Sequence, residues 1–451
     1  MRAGAVLLSS GAQSDDVEKA IVDVCAAYGV SPVQAAVSFS IISLSHDSPA
    51  TGPITLVHIV RDRTTDFGHL AAASKVVRGV LDDALELETA ERDLATAQSQ
   101  ASPYGRVLSF AALGISAAGS TLVFGGAAVD AAATLGIALL IQPALYALDR
   151  STFPPFFRLV FGAFATTLLV ALLIGIGLPV AGGLVLTGSL LRFLPGYALV
   201  SGFRDLVGES IMSGSARLAE ALLLAAGVAI GTAFGVAIAS SLDIELTLTS
   251  VGSHDWGLMV GVPAAFLAVA GFAIRLGMPP YTVVGAAALG AVAWLLYITL
   301  IDVRQLADAS AATFVAAIMV GIAGRLIAQR TRTPVALWIV PAILLLLPGL
   351  QLVTAMLART NTARIDGLLA AATTAFLLGT GVASGDIIVS TARRLRERVV
   401  TPAVGAVTGG VDVFVVDPVE RVAGRVAGRF RPRASDTRPS IEPNTDAAEP
   451  D

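Results

Sequence analysis

From about residue 106 to about residue 390 the chain is apolar with few interruptions, and its charges and Pro/Gly clusters cut that stretch into pieces of about twenty residues. Pieces of that length match the hydrocarbon core of a bilayer, about 30 Å thick and crossed by about 20 helical residues. They must be helices, because a lipid-facing backbone has no water to bond and an open strand leaves its N–H and C=O groups unpaired. The cuts fall at 107–126, 130–148, 157–176, 180–203 and 215–240, then at 256–275, 281–301, 310–328, 336–357 and 366–390. The expected fold class is an α-helical polytopic membrane protein with about ten transmembrane helices. Composition agrees: 14% of residues are charged, well short of the roughly 25% that a water-facing surface carries.

Charges in the connections set the orientation. With the N-terminus inside, the cytoplasmic connections hold Arg150 and Arg158, Arg204 and Arg217, Arg275, and Arg325, Arg330 and Arg332. Arg393, Arg394, Arg396 and Arg398 follow the last span. The opposite connections hold only Arg304, Arg359 and Arg364. The bias follows the positive-inside rule and predicts both termini in the cytoplasm of a multi-pass cell-membrane protein.

Flanking zones differ in character. Residues 1–105 read as a small cytoplasmic α/β domain. Ser14-Asp15-Asp16 offers an N-cap and an acidic first turn for a helix ending at Gly29. Two β-rich runs follow, Val33 to Leu44 and Ile54 to Val60, and then a long amphipathic helix from about Phe67 to Gln100. Residues 391–451 form an Arg-rich and then acidic tail, expected to be disordered and drawn to the anionic membrane surface; Val411 to Val416 is its one strand-like run. Cys25 is the single cysteine, which excludes an internal disulfide. His46, His58, His69 and His254 have no metal-ligand spacing, and no Walker loop is present. The chain is therefore expected to bind no metal or cofactor and no nucleic acid, and not to be an enzyme.

Two stretches echo one another. PVAGGLVLTGSLLRFLPG runs from Pro179 to Gly196 and PVALWIVPAILLLLPG from Pro334 to Gly349, each in the fourth span of a set of five. Five is odd, so a second set enters the membrane inverted, the plan of many secondary transporters whose sites lie on Pro/Gly-broken helices. This divides the membrane part into repeats at 106–242 and 243–390.

Candidate site residues follow from that plan. Pro195-Gly196 and Pro348-Gly349 free backbone groups that can meet a zwitterion, and Arg192, one turn before the first break, can hold a carboxylate. Asp386, Glu220 and Asp130 are acidic groups in or at the ends of spans and are candidates for carrying protons, Asp386 foremost. Asp205 and Arg217 are expected to pair and gate the connection between them. Gly227, Gly231 and Gly235 form a ridge for close helix contact, within one protomer or across a homo-oligomer.

The residues resemble the threonine/serine exporter family. The likeness begins with SSGAQSDDVEKAIVDVCAAYGV (9–30) and passes through LVFGGAAVDA (122–131). It is sharpest in LRFLPGYALVSGFRDLVGESIMSGSARLAEALL (191–223), and LLLLPGL (344–350) follows in its expected place. Glu209 departs from the pattern, where an aspartate is expected, and the Arg-rich tail lies outside it. The resemblance implies ten helices in two halves behind a cytoplasmic domain, and proton-driven export of threonine and serine. Small dicarboxylates such as succinate are the alternative cargo, and a non-transporting scaffold or sensor is the alternative role.

Overall fold

A computed structural model describes residues 1–48, 52–61, 65–100, 102–208, 210–244, 246, 256–303, 308–349, 351–352, 355, 358 and 360–407. The strand-like run Val411 to Val416 and the rest of the expected tail lie outside these residues, as do Glu209, His254, Arg304 and Arg359.

The first hundred residues form α1 (Arg2–Ser9), α2 (Ser14–Ala27), β1 (Val33–Ser38), β2 (Ile41–Ser48), β3 (Gly52–Ile59), α3 (Phe67–Asp83) and α4 (Leu87–Ser99). The strands make an antiparallel sheet in the order β1-β2-β3, with Ala35 opposite Leu44 and Leu44 opposite Leu56. The apolar faces of α1, α2 and α3 close over one side, burying Leu8, Val17, Ile42, Phe67 and Leu70.

Three local expectations need correction. The run from Val33 to Leu44 is a hairpin turning at Phe39, whose φ is 37° and whose N–H donates to Ser213 Oγ at 3.0 Å. That anchor is far away in sequence. The single helix expected over 67–100 breaks at Ala84, in the left-handed region at φ 51°, and α4 folds back along α3. Folding back buries Ala90, Leu94 and Ala97, which a straight helix would leave in water. Ser14 is not the N-cap of α2. It is the first helical residue, and its hydroxyl reaches Asp205 instead.

The apolar region contains α5 (Arg106–Val123), α6 (Ala128–Asp149), α7 (Pro155–Gly175), α8 (Gly182–Leu190), α9 (Gly196–Val207) and α10 (Ile211–Ser241). It continues as α11 (Gly257–Arg275), α12 (Pro280–Ile298), α13 (Ala309–Thr331), α14 (Ala336–Ala342) and α15 (Asn361–Val407). Among the described residues eight helices are long and apolar enough to cross a membrane. The pair formed by α8 with its 3-10 turn and α9, bent by 55°, is apolar enough to make a ninth span if it crosses as one unit. The expected tenth span, 336–357, starts as α14, and several of its residues past Gly349 lie outside the described ones. The molecule is thus a polytopic helical membrane protein.

Burial separates these helices into two kinds. Every residue of α8 and of α14 is buried, so these two short helices sit inside the bundle. The long helices bury one face and turn apolar side chains such as Leu140, Leu172, Leu222 and Phe234 outward, as lipid contact requires. Small residues set the closest approaches. A Cβ at Gly231 of α10 would stand 2.2 Å from the Val160 carbonyl oxygen of α7, and one at Gly385 of α15 would stand 2.4 Å from the Ile318 carbonyl oxygen of α13. The expected ridge at 227, 231 and 235 therefore packs within the protomer.

The N-terminal elements sit on one end of this bundle. Phe67 N–H donates to the Leu276 carbonyl, Asp82 meets Arg332 at 3.1 Å, and the β1–β2 turn meets Ser213. All three partners lie in or beside alternate connections of the chain. Elsewhere the start of α11 meets the α5–α6 connection, where Trp256 Nε1 donates to the Gly126 carbonyl at 2.7 Å.

Candidate functional site

Both helix breaks lie at the centre of the bundle and face one another. A side chain at Gly196 would run into Leu347, and one at Gly349 into Leu194 and Leu191. Each glycine thus lets the other break's leucines approach its backbone, so Pro195-Gly196 and Pro348-Gly349 are one locus in space although about 150 residues apart. Arg192, one turn before the first break, donates to Gln142 Oε1 and stacks 4.8 Å from the Phe193 ring centroid. Its Nη1 is buried with no hydrogen-bond partner among the described residues.

Past the first break, α9 leads to a buried polar hub. Arg217 is 0% exposed, and its Nε lies 2.9 Å from Asp205 Oδ2. Its Nη1 donates to Tyr197 Oη at 3.3 Å and Ser201 Oγ at 3.4 Å, and its Nη2 donates to the Ala12 carbonyl at 3.2 Å. Tyr197 in turn donates to the Gly11 carbonyl, Ser14 donates to Asp205 at 3.5 Å, and Ser210 donates to Asp15 at 2.5 Å. Gly11 takes φ +99°, a turn a side chain would resist. The N-terminal stretch 11–15 and the connection 205–217 thus form one hydrogen-bonded unit. Glu220 lies one turn beyond Arg217 and adds to the field on its guanidinium.

Asp386 anchors a second cluster. The small-residue contact of α15 with α13 and the packing of Gly379 on Phe203 of α9 bring three helices together here. Arg204 Nη2 donates to Asp386 Oδ2 at 2.8 Å, and Arg325 Nε lies 3.4 Å from Asp386 Oδ1. Both arginines had been expected in connections; instead they end inside the bundle on one carboxylate. In front of them opens a cavity of about 550 Å³, between the N-terminal elements and the bundle. Its wall includes Gln13, Asp16 and Lys19 of α2's N-cap and first turns, Ser74 and Arg78 of α3, Arg204, Arg325, Gln329 and Thr333. Asp16 lines the cavity and is exposed to it. Desolvation raises its carboxyl above the ordinary value, opposed by the nearby Arg204 and Arg325 guanidinium groups. Desolvation likewise lowers Arg78.

Asp130 stands apart from both clusters. It is buried, its Oδ2 accepts from Ala127 N–H at 2.8 Å, and its Oδ1 accepts from Ala181 N–H at 2.7 Å. Both oxygens therefore tie the start of α6 to the segment before α8. Sequence reasoning found Asp386, Asp205 and Arg217 but assigned no site role to Arg204, Arg325 or Asp16. The usable signal was local: Arg204 directly precedes Asp205, and on a helix adjacent residues point about 100° apart, so two different clusters could have been anticipated.

Comparison with known proteins bears on this arrangement. Residues 1–239 match a family model described as a threonine/serine exporter, and residues 262–392 match a second, described as "Threonine/Serine exporter, ThrE". The chain is 31% identical over 412 residues to the "Probable threonine/serine exporter" of Mycobacterium tuberculosis, covering 87% of this chain and 76% of that one. It is 27% identical over 415 residues to the "Threonine/serine exporter" of Corynebacterium glutamicum, covering 88% and 82%. A shorter match, 27% over 231 residues, links 49% of this chain to 20% of "Pheromone-regulated membrane protein 10" of Candida albicans. No solved structure gives a significant match. The bacterial relatives are named as exporters, not enzymes. With matches that span both halves of the membrane region and the N-terminal elements, the chain belongs to the threonine/serine exporter family.

Proposed function

We propose that the protein is a secondary active exporter of threonine and serine across the cell membrane, working by alternating access and driven by the proton gradient. The observation that carries this reading is the cavity of about 550 Å³ lined by Arg204 and Arg325, the two arginines that meet Asp386. Its size falls within the roughly 300–1,000 Å³ of small-molecule sites, and it brings charges of both signs to one place, as a zwitterion needs. Polar groups that suit a small hydroxyl stand on the same wall, among them Gln13, Ser74 and Thr333.

Alternating access draws support from the paired packing of the halves. Helix α10 lies along α7 as α15 lies along α13, and α5 lies along α11 across the middle. In our reading these are inverted five-helix repeats, with the Pro-Gly breaks as the bending points. The N-terminal elements form a cytoplasmic domain. Their contacts with Leu276, Arg332 and Ser213 fall at connections whose arginines face inward on the positive-inside rule, with both termini there as well. Asp386 carries the proton: two guanidinium groups occupy it here, and a proton takes their place when α9 or α13 moves away. The Asp205–Arg217 pair, joined to residues 11–15, acts as the inner gate. Glu220 tunes that gate, Arg192 receives the carboxylate deeper in the path, and Asp130 is structural.

A dicarboxylate such as succinate is the second reading, favoured by the basic excess on the cavity wall, where Lys19, Arg78, Arg204, Arg325 and Arg332 outnumber Asp16. Counterflow in proteoliposomes with labelled threonine, serine and succinate side by side separates the two. Exchange of threonine and serine is expected. Exchange of succinate alone would transfer the reading to dicarboxylates, and no exchange of any of the three would sink transport of this class.

A further inference from the structure

We infer that the N-terminal domain is part of the substrate site: Asp16 receives the ammonium group of the transported amino acid, opposite Arg204 and Arg325. Asp16 thereby selects amino acids over acids that lack an amino group. This rests on the exporter reading above.

The placement of Asp16 is built, not incidental. Ser14 and Asp15 are engaged by Asp205 and Ser210, and the Ala12 carbonyl by Arg217, which fixes the first turn of α2 against the bundle. Asp15 is thus used for docking. Asp16, about 100° further round the helix, points into the cavity. Among the described residues Asp16 lies within ion-pair distance of no basic side chain, yet it is near enough to Arg204 and Arg325 to feel both. Opposite charges therefore face each other across open space.

The charge count leaves room for a zwitterion there. Two guanidinium groups share the single carboxylate of Asp386, so the cluster keeps one positive charge in excess, toward which a substrate carboxylate is drawn. An ammonium group leaving water needs an anion at the other end of the same molecule. Among the described residues lining the cavity, Asp16 is the one acidic side chain. Without it the wall is purely basic and suits a plain acid as well as an amino acid.

The test compares serine with 3-hydroxypropionate, which is serine without its amino group, as competitors of labelled threonine counterflow by the full-length protein in proteoliposomes. Wild type should prefer serine. Asp16→Asn should shrink that preference roughly 10-fold or more, the worth of a hydrogen bond to a charged group, by weakening serine while leaving 3-hydroxypropionate nearly unchanged. Asp16→Glu should restore part of it. If Asp16→Asn weakens both competitors equally, the residue only props up the domain and the inference fails. It fails too if serine keeps its full advantage. Should the asparagine variant not fold, Asp16→Ser carries the same comparison. A wild-type protein that exchanges no amino acid would remove the exporter reading itself, a result distinct from either failure.

Discussion

At the residue scale two ion-paired clusters inside the bundle, Asp205–Arg217 and Asp386 with Arg204 and Arg325, respond differently to substitution. Arg217 is sealed from solvent and held by Asp205, Tyr197, Ser201 and the Ala12 carbonyl, so truncating it strands a buried carboxylate. Breaking one side of a buried pair costs about 3–5 kcal/mol. Arg217→Ala should therefore lower the melting temperature sharply in detergent, and Asp205→Ala combined with it should cost less than the two single losses added, because the contact is shared. Additive losses would show that the pair contributes no coupling. Asp386 is different, since its side chain stays 19% exposed. Asp386→Asn keeps the shape of the side chain but cannot carry a proton. We expect counterflow to persist at a tenth of the wild-type rate or more while accumulation driven by a pH gradient is lost. Gradient-driven accumulation at the wild-type level would remove Asp386 from coupling.

At the element scale, backbone proximity decides more than hydrophobicity. The pairs α7–α10 and α13–α15 touch backbone to backbone through glycine, where van der Waals packing must replace the hydrophobic drive that lipid does not supply. Gly231→Ala would put a methyl 2.2 Å from the Val160 carbonyl, and neither backbone can turn aside. Overpacking of this kind costs about 1–3 kcal/mol. Gly136→Ala on α6 meets no atom within 4 Å and should be neutral or mildly stabilising, since alanine favours helix. Thermal unfolding of the two variants in the same detergent tests the contrast, and equal melting temperatures would refute the close-contact account. Two elements could not be read from their own residues. The break at Ala84 and the turn at Phe39 are imposed by what they pack against, α3 and Ser213 respectively.

At the scale of the whole molecule, the placement of the N-terminal elements on one end of the bundle makes a prediction about sidedness. In a Cys25→Ser background, a cysteine at Ser151, between α6 and α7, should react with an impermeant thiol reagent only after cells are opened. One at Leu178, between α7 and α8, should react in intact cells. Both positions are exposed. The reverse pattern would turn the protein over and put the N-terminal elements outside the cell.

Much of this molecule was legible in the residues alone. Apolar runs of bilayer length specify a helical membrane bundle, and Pro195-Gly196 marks the break before α9, because both signals are local: hydrocarbon length and backbone donors depend on neighbours in sequence. The pairing of Asp205 with Arg217 was also within reach, since they flank one connection. Tertiary structure alone decided that Arg204 and Arg325 converge on Asp386, and that α2 brings Asp16 to the same cavity. Those charges are up to 370 residues apart, and what joins them is helix packing set by glycines on three different helices. A charge in a sequence shows its sign. Only the fold decides which other charge it meets, because Coulomb energy depends on distance through space and on the water excluded between.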